Sequence, residues 1–280
     1  MKKALFAALL ALTAVTAQAS TRKDVEASAV INGTIVVAKD GTVEAAVIDH
    51  PAWYGQSIAD LVRKTALQWR FRPVLRHHEP VVAKASMHVR VVLKKMPDGD
   101  YSARIKGARF GDYDAHATDT LRSAAGNKKL HPRYPGEAIR ARVQGTVYLS
   151  LHVDHSGHVI DAVAEQVDLN NIGPDNELQH YRKVLADAAL SAAHKWTYLL
   201  PTTGALAKRD SWTVHIPVAF RLSRPGQPSN TGVWQAYVPG PYTPAPWVDR
   251  PNVNAADALA DGELQTDGAG PTLLTPLNHG

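Results

Sequence analysis

The chain contains no cysteine. That excludes disulfide staples, cysteine-linked lipid and any thiolate nucleophile or metal ligand, so its folded units must hold together by packing alone. It also lacks any block of five or more basic residues. The formal net charge is +5, falling to +3 if Lys2 and Lys3 leave with a leader, which makes nucleic acid a poor partner. Gly-x-Ser-x-Gly, His-Glu-x-x-His, Walker and dinucleotide fingerprints are missing, and no carboxylate pair stands out on a common face. The sequence therefore points to binding, with no enzyme activity and no cofactor.

What is present suits a soluble globular protein: 280 residues, 45% hydrophobic and 20% charged, enough for one or two cores. At the start, Lys2 and Lys3 precede an apolar run from Ala4 to Val15 and the small-x-small site Ala17-Gln18-Ala19, the layout of a secretory leader over residues 1–19. The expected location is the periplasm. A retained helix in the inner membrane is the alternative, although the run is shorter than the roughly 20 residues a span needs.

From Gly145 the pattern has period two: Val147, Leu149, Leu151 and Val153 share one face, and Thr146, Tyr148, Ser150 and His152 the other. The turn DHSG (154–157) and the run HVIDAV follow, so a β-hairpin is expected. Residues 178–196 place Tyr181, Val184, Leu185, Ala188 and Ala192 at helical spacing, ending at Trp196 before Pro201. A third strand, 212–222, sets Val214, Ile216, Val218, Phe220 and Leu222 against Thr213, His215, Pro217, Ala219 and Arg221. Proline cannot donate to a ladder, so Pro217 marks that strand as a sheet edge.

The first half repeats the order: a hairpin over 31–48 with an Asp-Gly turn, a helix over 58–73 ending in Trp69 before Pro73, and a strand over 86–94. Pro97-Asp98-Gly99 and residues 101–105 then read as a turn and a returning strand that closes the equivalent edge. The expected fold class is α+β: two small domains, 25–110 and 132–223, each a three-stranded antiparallel sheet with a helix packed on one face, four-stranded in the first copy if the returning strand pairs. Residues 111–131 read as a linker with a helical turn around 118–125. Residues 224–280 hold nine Pro, seven Gly and no Lys, and are expected to be a disordered tail.

The second copy resembles the TonB C-terminal domain family, through PRYPGEAIRARVQGTVYLSLHVDHSGHV, then AALSAAHKWTYLLP, then VHIPVAF, over residues 132–222. The first copy lacks the Pro-x-Tyr-Pro lead-in and looks like a degenerate member. The resemblance implies that an extended peptide, such as the TonB box of an outer-membrane receptor, adds as a strand at the third-strand edge. It implies two contact groups: His131, Pro132, Arg133, Tyr134 and Pro135 before the first strand, and Thr213, His215, Pro217, Ala219 and Arg221 on the third. A TonB-dependent receptor or another extended peptide is the expected partner, with a homodimer and an inner-membrane energy complex as further partners to consider. An alternative is a stand-alone periplasmic module without energy coupling, its edge filled by its own tail or a second copy. The chain departs from a transducer in its leader-like first helix and in its Pro-rich segment, which follows the domain.

Two readings stay open or bland. Tyr134 is either a buried pin or a surface contact, while Trp69 and Trp196 read as core. The clusters His152, Asp154, His155, His158 and His77, His78, Glu79 follow no recognised metal spacing, so no metal is assigned.

Overall fold

The computed structural model describes residues 25–76, 78–112, 114–222, 233–248, 259 and 263–277. Residues 1–19, expected to be a leader, lie outside them. The first half runs β1 (Glu26–Val37), β2 (Val43–Ile48), α1 (Gln56–Ala66), the small hairpin β3 (Leu75–Arg76) with β4 (Glu79–Pro80), β5 (Ala83–Lys95) and β6 (Tyr101–Phe110). The second runs β7 (Arg122–Ser123), α2 (Gly136–Arg140), β8 (Gly145–Asp154), β9 (Val159–Leu169), α3 (Asp175–Ala193), β10 (Tyr198–Leu199) and β11 (Ser211–Phe220). Two tail strands complete it, β12 (Gln235–Tyr237) and β13 (Gln265–Thr266). The fold is mixed α+β, with antiparallel sheets and few helices.

The alternating residues form the strands expected of them, because each sheet buries one face under a helix. The first sheet has the order β12-β1-β5-β6, with β2 also on β1. Ile31, Ile35, Met87, Val89, Val91, Trp69 and Phe71 make its cluster, with Val62 and Ala66 from α1. In the second, ordered β13-β11-β8-β9, α3 closes Val147, Leu149, Leu151 and Val214 with Leu185 and Trp196.

The two halves repeat contacts as well as order. Gly41, at φ 86°, accepts from the Phe71 N–H at 2.8 Å; Gly157, at φ 81°, accepts from the Tyr198 N–H at 2.8 Å. In both copies that partner sits two residues after the tryptophan. A Cβ at either glycine would fall well inside 3.0 Å of the partner's carbonyl oxygen. Glycine is thus required twice over, by the left-handed backbone and by the close approach.

Several boundaries differ from the sequence reading. The helices stop at Ala66 and Ala193, before their tryptophans, and turn bonds such as Trp69 N–H to Ala66 O carry the chain on towards the turn glycines. The returning strand reaches Phe110 and pairs with β5 from Lys95 to Met87. The 111–131 segment is docked: Leu121 is fully buried, β7 pairs with β10, and the helical turn falls at Ala125–Lys129.

The largest correction concerns the tail, because its described parts include two paired strands, β12 and β13. β12 pairs with β1 from Glu26 to Ser28, where β2 does not reach, and Val238 bridges to Leu169. Two or three extended residues suffice for such a pairing, and proline just beyond them removes no ladder bond.

The helix-free faces of the two sheets meet in a polar layer. Lys106 Nζ lies 3.8 Å from Asp168 Oδ2, Arg90 sits over the Tyr148 ring at 6.0 Å, and the Tyr237 hydroxyl donates to Glu26 Oε2 at 2.6 Å. Burial, with Asp168 and Glu26 close by, pushes the Tyr237 phenol far above its ordinary range.

Candidate peptide-binding edge

β11 pairs with β8 without a register break from Ser211 opposite Asp154 to Phe220 opposite Gly145. On its other side the Asp267 N–H donates to Thr213 O at 3.0 Å, so the backbone of Thr213 faces the outer edge. With period two, so do those of His215, Pro217 and Ala219. The missing N–H of Pro217 therefore falls on the outer side and costs the β8 ladder nothing.

The outer edge is partly filled. β13 pairs Thr266 with Val214 and Gln265 with His215. Among the described residues, no strand pairs with the outer side of Ile216–Phe220.

The side chains of the third-strand group do not stand in the open. His215 is 2% exposed, Pro217 is buried, and Thr213, Ala219 and Arg221 are half-buried. His215 Nδ1 meets Ser150 Oγ at 2.8 Å, with Glu165 Oε2 3.9 Å away, and Nε2 meets Asp267 Oδ1 at 3.1 Å. The Ser150 hydroxyl lies in a fully buried residue, so this serine, histidine and aspartate act as a clamp and offer no substrate a nucleophile. Tail residues close over it, with Ala245 N–H donating to Glu165 Oε1 at 3.0 Å. Little in the sequence marks this cluster, since its members lie 65 and 52 positions apart.

The lead-in group meets the far end of the same strand. Tyr134 donates to Val143 O at 2.5 Å and its ring packs edge-on to Phe220 at 5.4 Å and 73°. Its hydroxyl also lies 3.5 Å from Phe220 O, and burial raises the phenol's pKa. Tyr134 is half-buried and ties the lead-in to β11. Pro135 caps α2 in extended geometry, while His131 and Arg133 remain exposed and Pro132 half-buried. The lead-in segment and the end of β11 thus meet at Tyr134 and Phe220.

Asp154, from the histidine-rich turn, is spent on the turn itself. Its Oδ1 accepts from Ser156 Oγ at 2.6 Å and from the Ser156 and His158 N–H groups at 2.9 and 3.0 Å. The Ser156 hydroxyl first, then the His158 N–H, hold its pKa at about 2, below the ordinary 3.8. A depressed carboxyl stabilises the fold fully above the ordinary value, and that contribution goes as pH falls through about 2. The side-chain 13C signal of Asp154 should titrate near 2; a midpoint near 3.8 defeats the assignment. His152 instead stacks on Trp247 of the tail, 5.4 Å apart at 19°.

Comparison with known proteins adds one likeness. The chain is 33% identical over 92 residues to "Protein TonB" from two strains of Xanthomonas campestris pv. campestris. This stretch is TonB-like. It covers 33% of this chain and 35% of those proteins, so the chain spans about a third of the TonB proteins it matches. No protein-family model matches the chain, and no solved structure does.

Proposed function

We propose that this TonB-like chain binds an extended peptide by strand addition at the outer edge of β11, in the periplasm, as a TonB box of an outer-membrane receptor would require. One observation carries the reading: this edge already receives an antiparallel strand, β13, and the described residues leave its continuation to Phe220 unpaired. Main-chain bonds supply affinity in this mode, and neighbouring side chains supply selectivity. Arg133 and His131 lie on the lead-in pinned to Phe220 by Tyr134, so they are the side chains placed to sort one peptide from another. The energy complex of the inner membrane is a further partner on this reading, through the leader segment retained as an anchor. The first half is a degenerate copy, supported by the repeated glycine-to-carbonyl contact after each tryptophan.

A synthetic receptor-box peptide titrated into 15N-labelled protein should shift the amides of residues 216–222 and 131–134. Unmoved signals there at saturating peptide would sink the proposal.

A further inference from the structure

We infer that residues 263–277 are a built-in competitor for the β11 edge and a strap from that edge to the first sheet, so that an incoming strand must displace them. This rests on the strand-addition reading above and adds its regulation.

On the outer edge, the segment left open past His215 offers the Pro217 carbonyl and the N–H and carbonyl of Ala219. Thr213 and His215 offer an N–H and a carbonyl each, and these lie beneath the tail. A partner strand of ordinary length, about five or six residues, therefore gains most of its bonds only where β13 sits. Proline at 217 makes the open portion a poor ladder by itself.

β13 is two residues long, and the chain turns away at once through Gly268, at φ 85°, with Ala269 N–H bonded to Thr266 O at 3.0 Å. So short a ladder is weak alone. It is reinforced by Leu264 in the second cluster, by Asp267 Oδ1 on His215 Nε2 at 3.1 Å, and by Arg209 Nη1 donating to Asp267 O at 3.2 Å. Past the turn, Leu273 bridges to Phe71, Leu274 N–H bonds Arg70 O at 2.8 Å, and Leu277 enters the first cluster while its carbonyl accepts from Trp69 Nε1 at 3.4 Å. The six residue steps from Asp267 to Leu273 reach about 20 Å at full extension. Lifting β13 therefore pulls on the contacts at Phe71 and Trp69.

The test uses the full chain, whose lack of cysteine leaves an engineered pair unambiguous. Val214 and Thr266 are direct partners across the ladder. Antiparallel partners sit about 4.5–5.5 Å apart at Cα, within disulfide range. In the double variant Val214→Cys with Thr266→Cys, oxidation locks the strap and reduction frees it. The probe is a fluorescein-labelled peptide with the sequence of residues 263–270, read by anisotropy. The oxidised form should bind at least about tenfold more weakly than the reduced form, as a competent fraction held to a tenth or less requires. Gln265→Pro, which removes the β13 donor opposite His215, should bind more tightly than the unaltered chain. The Trp69 indole N–H signal should move as the reduced form is saturated.

Equal binding by the oxidised and reduced forms overturns the competitor while leaving strand addition standing. A Trp69 signal unmoved at saturation overturns the strap. Absence of binding by the oxidised, reduced and Gln265→Pro forms alike defeats both this inference and the strand-addition reading.

Discussion

Trp69→Ala is expected to lower the unfolding free energy by about 3–5 kcal/mol, a large part of the 5–15 kcal/mol typical of a whole protein. Trp69 is fully buried, and its ring stands edge-on to Phe110 at 5.4 Å and 81°, while Phe110 stands edge-on to Phe71 at 4.7 Å and 90°. Removing the indole leaves the Phe110 ring facing a void that a helix on one side and a sheet on the other cannot close. The hydrogen bond from Nε1 to Leu277 O is long at 3.4 Å and contributes about 1 kcal/mol at most. Packing therefore dominates, and Trp69→Phe should recover most of the loss. Urea denaturation with unchanged slope would measure both; a loss under about 1 kcal/mol for the alanine variant would contradict the core assignment. Trp196 is 6% exposed and donates to Leu130 O at 2.9 Å, so its alanine variant should fall at the lower end of the same range.

Both tryptophans were legible in the sequence as core residues, for a physical reason. Each ends a helical pattern whose apolar stripe needs a sheet beneath it, and strand alternation supplies that sheet. Val147, Leu149, Leu151 and Val153 face the helix as their spacing requires. The same alternation says nothing of what covers the opposite face. It sets Tyr148, Ser150 and His215 there, and they are 4%, 0% and 2% exposed. Hydropathy cannot distinguish a solvated polar residue from one that meets its partner across a sheet, because the partner is remote in sequence. Asp168, which faces Lys106, and Asp267, which holds His215, are such partners.

The tail was misjudged for a related reason. Its proline and glycine content argues against a core of its own, and the described part forms none. It borrows hydrogen bonds from edges that already exist, at β1 and at β11, through strands of three and two residues. No periodicity can appear over so short a run. Pro217 turns its missing N–H to the outer side of β11, but the sequence did not show that the chain's own end pairs there, so β11 is not a free edge.

The second large effect is expected at the turn glycines. Gly157→Ala should cost about 3 kcal/mol, and Gly99→Ala about 1 kcal/mol, although both glycines have positive φ, 81° and 98°. The left-handed conformation penalises alanine at either site by about 1–2 kcal/mol. At Gly99 nothing lies within 4 Å of the new methyl, so that penalty is the whole cost. At Gly157 the methyl meets the Tyr198 carbonyl, which is backbone and cannot swing aside, and Tyr198 N–H is bonded to Gly157 O at 2.8 Å. Relief requires the turn and the strand after Trp196 to separate, which breaks that bond and loosens Tyr198, itself 5% exposed in the core. Overpacking of this kind adds about 1–3 kcal/mol. Gly41→Ala faces the Phe71 carbonyl in the same way and should match Gly157→Ala. Three midpoints in urea therefore decide the matter. If Gly41 and Gly157 are costly and Gly99 is cheap, the glycine-to-carbonyl contact holds both halves in the same manner. If all three cost alike, backbone strain alone accounts for these turns, and the repeated contact no longer supports descent of one half from the other.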